Sequence, residues 1–259
     1  MRLIDSHSHL YSAEFTHDLD EAIERCRENH IAKVLLPNID ASSHSKMMRL
    51  YTDFPEFFTP MLGLHPCSVN KSFEKELSEI FSHYKPNMYC AIGEIGIDLY
   101  WDQAFLKEQI HALEFQIEFA KKHKLPVVLH VRDAFDEVFE VVDRLHDENL
   151  SGVFHCFTGS IEQAEHIMAY KTFMMGIGGV VTFKKSGLDE VVKQIPLKYL
   201  ILETDSPYLA PAPNRGKRNE SSYLKLIAKK LSEIKNCSLE EIAEQTTTNC
   251  LKIFPTLSL

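Results

Sequence analysis

Short apolar runs alternate with longer segments of helical period along the whole chain. The runs are the opening Leu3-Ile4, then residues 31–36, 59–64, 89–93, 126–129, 152–154, 172–177 and 198–202. Each is bounded by polar or turn residues and reads as a short buried strand. The clearest intervening segment is 103–122, where Leu106, Ile110, Leu113, Ile117 and Ala120 recur at spacings of four and three. Lys107, Glu108, Glu114 and Lys121 fall on the other side, so the pattern predicts an amphipathic helix of about five turns. Ser160-Ile-Glu-Gln163 and Ser238-Leu-Glu-Glu241 spell capping boxes, the second opening an additional C-terminal helix over 238–253.

Strands that alternate with helices predict a parallel sheet, because a parallel return needs a crossover. Eight such units fit a (β/α)8 barrel, read as one domain over 1–259, better than an open doubly wound sheet. No Gly-x-Gly-x-x-Gly follows the first strand, which argues against a dinucleotide site. The one turn-rich stretch, 205–220, lies between the eighth strand and the eighth helix.

Composition narrows the function classes. With 44% hydrophobic and 25% charged residues in 259, the chain is an ordinary globular one and not a collagen-like, disulfide-scaffold or disordered protein. Its 28 lysines and arginines against 37 aspartates and glutamates leave a net charge of −9. That balance excludes coating nucleic acid by bulk charge, and leaves a small, locally charged site open. Cys26, Cys67, Cys90, Cys156, Cys237 and Cys250 form no Cys-x-x-Cys pair, and Met1 runs straight into Arg2-Leu3-Ile4-Asp5. The expectation is a cytoplasmic protein with inert thiols, a monomer with no obligate protein partner. No apolar run approaches the ~18 residues of a membrane span.

In a barrel of this kind, polar groups at the carboxyl ends of strands carry function. The first run ends Asp5-Ser-His7-Ser-His9, and a spacing of two puts both imidazoles on one side of a strand. Later runs end in His65, Glu94, His130 with Arg132, His155, and Asp205. Cys156 is expected to face away from His155. The other eight histidines read as surface residues. Closing the barrel would gather His7, His9, Glu94, His130, His155 and Asp205, a costly convergence unless the groups are paired or bind metal. Neutral imidazoles and carboxylates suit Zn2+, Mn2+ and related ions. Six ligands exceed what one four-coordinate ion needs; two ions sharing a carboxylate would use them, and such pairs hydrolyse phosphodiesters and amides.

Six ordered segments resemble the TatD family of metal-dependent deoxyribonucleases: Ile4-Asp-Ser-His-Ser-His-Leu10, Gly63-Leu-His-Pro66, Ala91-Ile-Gly-Glu-Ile-Gly-Ile-Asp98, Leu129-His-Val-Arg132, His155-Cys-Phe-Thr-Gly159 and Leu202-Glu-Thr-Asp-Ser-Pro207. The resemblance implies a TIM barrel with two divalent cations (Mg2+, Mn2+ or Zn2+) and 3′-to-5′ exonuclease action on single-stranded DNA or DNA ends. Carried over, His7, His9, Glu94 and Asp205 hold one ion. Glu94, His130 and His155 hold the second, with Glu94 bridging. Asp205 doubles as general base, so Asp205 and Glu94 are the catalytic pair. The chain departs from the family at Leu99-Tyr100-Trp101 and at Asn219-Glu220-Ser221, both flanking the mouth. His65, Arg132 and Arg215 are candidate substrate contacts, and Tyr100, Trp101 and Tyr208 are candidate base-stacking residues. The competing reading is an amidohydrolase-like enzyme for a small amide, ester or lactone.

Overall fold

The computed structural model describes residues 1–257 and 259. Eight parallel strands are β1 (Leu3–Asp5), β2 (Ile31–Leu36), β3 (Phe58–Pro60), β4 (Ile92–Asp98), β5 (Val127–Arg132), β6 (Gly152–Phe154), β7 (Phe173–Ile177) and β8 (Leu200–Leu202). The helices are α1 (Leu19–Glu28), α2 (Ala41–Asp53), α3 (Phe73–Ser82), α4 (Leu106–His123), α5 (Phe135–Leu145), α6 (Ile161–Ala169), α7 (Leu188–Gln194), α8 (Leu224–Lys235) and α9 (Leu239–Ile253). Strands pair in chain order as β1-β2-β3 and β4 to β8. Bridges Leu62–Ile92 and Ser8–Ser206 join the two sheets into a closed TIM barrel.

Alternation along the strands divides the core in two. Leu3, Val34, Leu129 and Phe154 belong to the large cluster that also holds the helix faces. Ile4, Leu35, Val128, Val153, Met174 and Ile201 form the second cluster, which fills the barrel. Cys250, Ile253 and Phe254 of the α9 end join that inner cluster. Asn249 of α9 donates to Leu197 O and Leu200 O at 2.8 and 2.7 Å, at the start of β8. The expected extra helix therefore plugs the amino-terminal end of the barrel and leaves the carboxyl end open. Its capping box at Ser238 is formed, as is the one at Ser160 that opens α6.

Two strands differ from the pattern. The third run spans 59–64 in the sequence, yet regular pairing stops at Pro60. Beyond it the chain leaves β2 for β4, with Leu62 N donating to Ala91 O at 3.1 Å. The fourth run, expected to end at residue 93, extends to Asp98 because Glu94 is a strand residue, only 2% exposed. Gly96 lets β4 lie against β5: its φ is +145°, and a Cβ there would sit 1.9 Å from His130 O. His44 corrects the surface reading of the remaining histidines. It is buried on α2, 2.9 Å from the Tyr89 hydroxyl, with its ring stacked on His83.

Candidate metal centre

Barrel closure between β1 and β8 assembles the first half of the site. Asp5, fully buried, accepts from Thr204 N at 2.9 Å and from Thr204 Oγ1 at 2.5 Å. Burial pushes its carboxyl up to about 7, against the hydrogen bonds it receives. Asp205 N donates to His7 O at 2.9 Å and His9 N to Ser206 O at 2.7 Å. The two chain segments that carry His7, His9 and Asp205 thus run side by side, whatever their separation in sequence. Asn219 donates to Thr204 O and Tyr208 O at 2.7 and 2.6 Å, fixing the loop in which Asp205 takes a left-handed φ of 57°.

Glu94 stands at the middle. Its Oε2 lies 3.0 Å from His7 Nε2 and 3.7 Å from His9 Nε2. Its Oε1 lies 2.8 Å from His130 Nδ1, 3.1 Å from His155 Nε2 and 3.3 Å from His65 Nε2. Asp205 Oδ1 is 3.5 Å from His9 Nε2 and 3.9 Å from His7 Nε2. The six expected ligands are therefore together, with one oxygen of Glu94 on each of two histidine sets. His65 joins the second set. Among the described residues, three clusters have ligand spacing: His7, His9, Glu94; His7, His155, Glu203; and His65, Glu94, His130.

The ionisation pattern follows from this geometry. Burial would raise Glu94, but the surrounding imidazoles outweigh it and hold the carboxyl well below the usual carboxylate range. Asp205 is likewise lowered against its burial, by the neighbouring His9 ring and by the charges of His155 and His7. The His7 and His155 rings are stacked, with centroids 3.7 Å apart. Two imidazolium cations would repel in that arrangement. Burial and His155 lower His7, while the carboxylates of Glu203 and Glu94 overcome burial and raise His155.

Partners on the far ring atoms set each histidine's role. The Tyr11 hydroxyl donates to Pro37 O at 2.6 Å, so its oxygen accepts from His9 Nδ1 at 2.8 Å. That leaves the His9 Nε2 lone pair facing Asp205 and Glu94. Asp98 Oδ2 holds His130 Nε2 at 2.9 Å, which frees Nδ1 toward Glu94. Asp98 is pushed down to about 2, its burial outweighed by that bond and the amides of Trp101 and Tyr100. His65 differs: its Nδ1 accepts from Cys67 N at 3.0 Å, so the neutral ring carries its proton on Nε2. His65 thus faces the site as a donor, suited to an anionic oxygen and not to a metal.

The donor set fits a divalent cation. Of the four buried side-chain polar atoms left without a hydrogen bond among the described residues, three are His7 Nδ1, His155 Nδ1 and Glu203 Oε2, all at this site. Such orphans call for an explanation, and the Nε2 atoms of the same two rings face the Glu94 carboxylate. Imidazole nitrogens and carboxylate oxygens are ligands of Zn2+ and Mn2+.

Besides Tyr11, sequence reasoning misses two supports of the site. Glu203, fully buried, accepts from Cys156 N and approaches His155 Nδ1 to 3.2 Å. It neighbours Asp205 in a run of strand-end polar residues, which is the available signal. Gln109 and Gln116 of α4 are the other support. Gln109 accepts from Asp98 N at 2.9 Å and donates to Asp98 O at 3.2 Å. Gln116 accepts from Leu64 N at 2.7 Å and donates to Leu64 O at 3.2 Å. No strand pattern could point to them. Cys156 lies beyond the end of β6 with φ 47°, so strand alternation does not govern it, and it enters none of the ligand clusters.

The arginines lie elsewhere. The Arg132 guanidinium sits 3.8 Å from the Tyr100 ring centroid and 5.4 Å from that of Trp101, in place of a salt bridge. Arg215 is stacked on Phe183 at 4.4 Å in the exposed loop after β8. Arg218 is tied to Asp18 through both terminal nitrogens, at 2.6 and 2.7 Å.

Comparison with known proteins gives a consistent picture. The family model described as TatD related DNase matches residues 4–255. The metal-dependent hydrolase YabD of Bacillus subtilis is 37% identical over 256 residues, covering 97% of this chain and 98% of its own. The crystal structure of YjjV, a TatD homologue from Escherichia coli, superposes with a TM-score of 0.89 at 28% identity, covering 98% of both chains. A TatD-family hydrolase from Entamoeba histolytica superposes with a TM-score of 0.84 at 21% identity over 99% of both chains.

Proposed function

The chain belongs to the TatD-related DNase family of metal-dependent hydrolases, and from that premise we propose that it is a two-metal deoxyribonuclease that removes nucleotides from the 3′ end of single-stranded DNA. The observation that carries the reading is Glu94, whose two oxygens each face a separate set of imidazoles. His7, His9, Asp205 and Glu94 Oε2 would hold one divalent ion; His130, His155 and Glu94 Oε1 would hold the other. Bound divalent ions supply Lewis-acid polarisation of the phosphate and acidify water.

The protein's own groups do the remainder. Asp205 has the most exposed carboxyl of the set, its side chain 15% accessible, against 3% for Glu94. Held as the anion at neutral pH, it accepts the proton of the attacking water at Oδ1. His65 Nε2–H donates to a phosphate oxygen. Arg132 and Arg215, each placed over an aromatic ring, bind the phosphate backbone of the strand. The enzyme acts as a monomer in the cytoplasm. All six cysteines are free, and no helix among the described residues is long and apolar enough to cross a membrane.

Purified protein supplied with Mg2+ or Mn2+ is expected to shorten single-stranded DNA, losing a 3′ label before a 5′ label. Asp205→Asn is expected to abolish this with the fold intact by circular dichroism. If metal-loaded protein cleaves no oligonucleotide but hydrolyses an amide, ester or lactone in a substrate panel, the deoxyribonuclease reading is wrong.

A further inference from the structure

The rim beside the metal centre carries two aromatic side chains that the barrel leaves in solvent. Trp101 is 71% exposed and Tyr100 is 54% exposed, although both follow β4 directly. They are not loosely placed. Asp98 Oδ1 accepts from Tyr100 N at 3.0 Å and from Trp101 N at 3.3 Å, while Asp98 Oδ2 holds His130. One carboxylate therefore fixes both a ring of the metal centre and the backbone of the two aromatic residues. The rings meet edge to face, with centroids 5.0 Å apart. Arg132 covers Tyr100 and stiffens the pair.

Trp101 walls a cavity of about 430 Å3 that Asp98 also lines. That is within the size range of small-molecule sites. The charged groups of this cavity are Asp40, Glu76, Asp98 and Asp102. Four carboxylates repel a phosphate. Asp98 is taken up by His130 and the two amides, which leaves Asp40, Glu76 and Asp102 as acceptors for ring N–H groups and exocyclic amines. Exposed aromatic surface plus acceptors is the chemistry that receives an unpaired nucleobase.

Resting on the deoxyribonuclease reading, we propose that Trp101 is the stacking platform for one unpaired base, seated in this cavity while its phosphate lies at the metal centre. Tyr100 and Arg132 hold the platform upright. Within a duplex the base faces are covered by stacking and pairing, so the platform selects strands that bring an unpaired base to the rim.

Trp101 is the single tryptophan of the chain, so emission excited at the red edge, where the nine tyrosines do not absorb, reports on this ring alone. The probe is a short oligo(dA), titrated into the metal-loaded Asp205→Asn protein, and an oligonucleotide of the same length built from abasic residues. Oligo(dA) is expected to quench the emission and the abasic strand is not. By fluorescence anisotropy of labelled strands, Trp101→Ala is expected to weaken oligo(dA) binding about tenfold or more, and Trp101→Phe far less. Binding of the abasic strand is expected to suffer much less from Trp101→Ala than binding of oligo(dA). Equal quenching by the two strands, or Trp101→Ala binding oligo(dA) as tightly as the parent, overturns the platform. Failure of the unsubstituted enzyme to cleave DNA overturns the parent reading instead, because the quenching experiment needs no cleavage.

Discussion

Gly176 on β7 is the position where one added methyl group tests the support of the metal centre. A Cβ there would sit 2.1 Å from Glu203 Oε2 and 2.5 Å from Glu203 Cδ. Glu203 has no room to yield, being fully buried with Oε1 held by Cys156 N and 3.2 Å from His155 Nδ1. Gly176→Ala thus forces overpacking, at ~1–3 kcal/mol, and pulls the carboxylate off its partners, at ~1.5–3 kcal/mol. Together the loss is about 4 kcal/mol, or roughly 10 °C in Tm for a chain of this size. The assay is urea unfolding of Gly176→Ala, Glu203→Ala and the double variant, each metal-free. Glu203→Ala alone strands Cys156 N, removes the carboxylate 3.2 Å from His155 Nδ1 and is costly by itself. In its background the methyl group added at Gly176 occupies vacated space, so the double variant should be scarcely less stable than Glu203→Ala. The expected coupling energy is therefore close to the whole Gly176→Ala loss, about 4 kcal/mol. Losses that simply add, or a Gly176→Ala protein as stable as the parent, would refute the contact as the cause.

Three further outcomes are expected. Glu220 is lowered against its burial, chiefly by hydrogen bonds from Arg25, so its contribution to stability is present at neutral pH and lost as acid protonates the folded carboxyl. Arg25→Ala should cost ~1–2 kcal/mol at pH 7, discounted for the partly exposed guanidinium, and clearly less near pH 3 by urea unfolding. His44 is pushed down to about 4 by burial and by His83, so the unfolded chain binds its proton first and stability falls as pH drops from about 6.5 to about 4. His44→Gln should flatten that part of the stability curve by on the order of 2 kcal/mol. Gln109→Leu should leave the buried Asp98 amide and carbonyl unpaired, lowering stability by ~2–3 kcal/mol. By calorimetric titration with Mn2+ it should also weaken metal affinity, toward the ~10–100-fold typical of lost ligand support.

The barrel was legible because β/α units repeat a two-state pattern. The run 31–36 returned as Ile31–Leu36, and both capping boxes formed where Ser160 and Ser238 place them. Strand ends were less legible wherever a buried polar residue belongs to the strand. Glu94 and His130 interrupt apolar runs that in fact continue to Asp98 and Arg132. The six clustered groups could be seen as strand-end polar residues, since closure alone brings such positions together. Their supports could not. Tyr11 reaches His9 through a hydroxyl, Gln109 reaches Asp98 from an outer helix, and Glu203 works from beneath His155. Each depends on the distance between elements, which periodicity does not encode. Arg132 shows the same limit: its strand position marks it as a candidate substrate contact, and only the fold shows the two rings of the neighbouring loop on which it stacks.

The paired glutamines of α4 bear on how this protein can vary. Gln109 and Gln116 are seven residues apart, two helical turns, and each grips both backbone groups of one residue beside the site. The helix is in effect a phase lock between the loops that follow β3 and β4. One inserted or deleted residue between the two glutamines would swing one of them by about 100° and release its loop. Substitutions on the outer face of α4 leave the spacing untouched. The seven-residue interval should therefore be refractory to length change while its solvent-facing letters drift freely, and length variation should collect outside it, in the segment between Trp101 and Leu106.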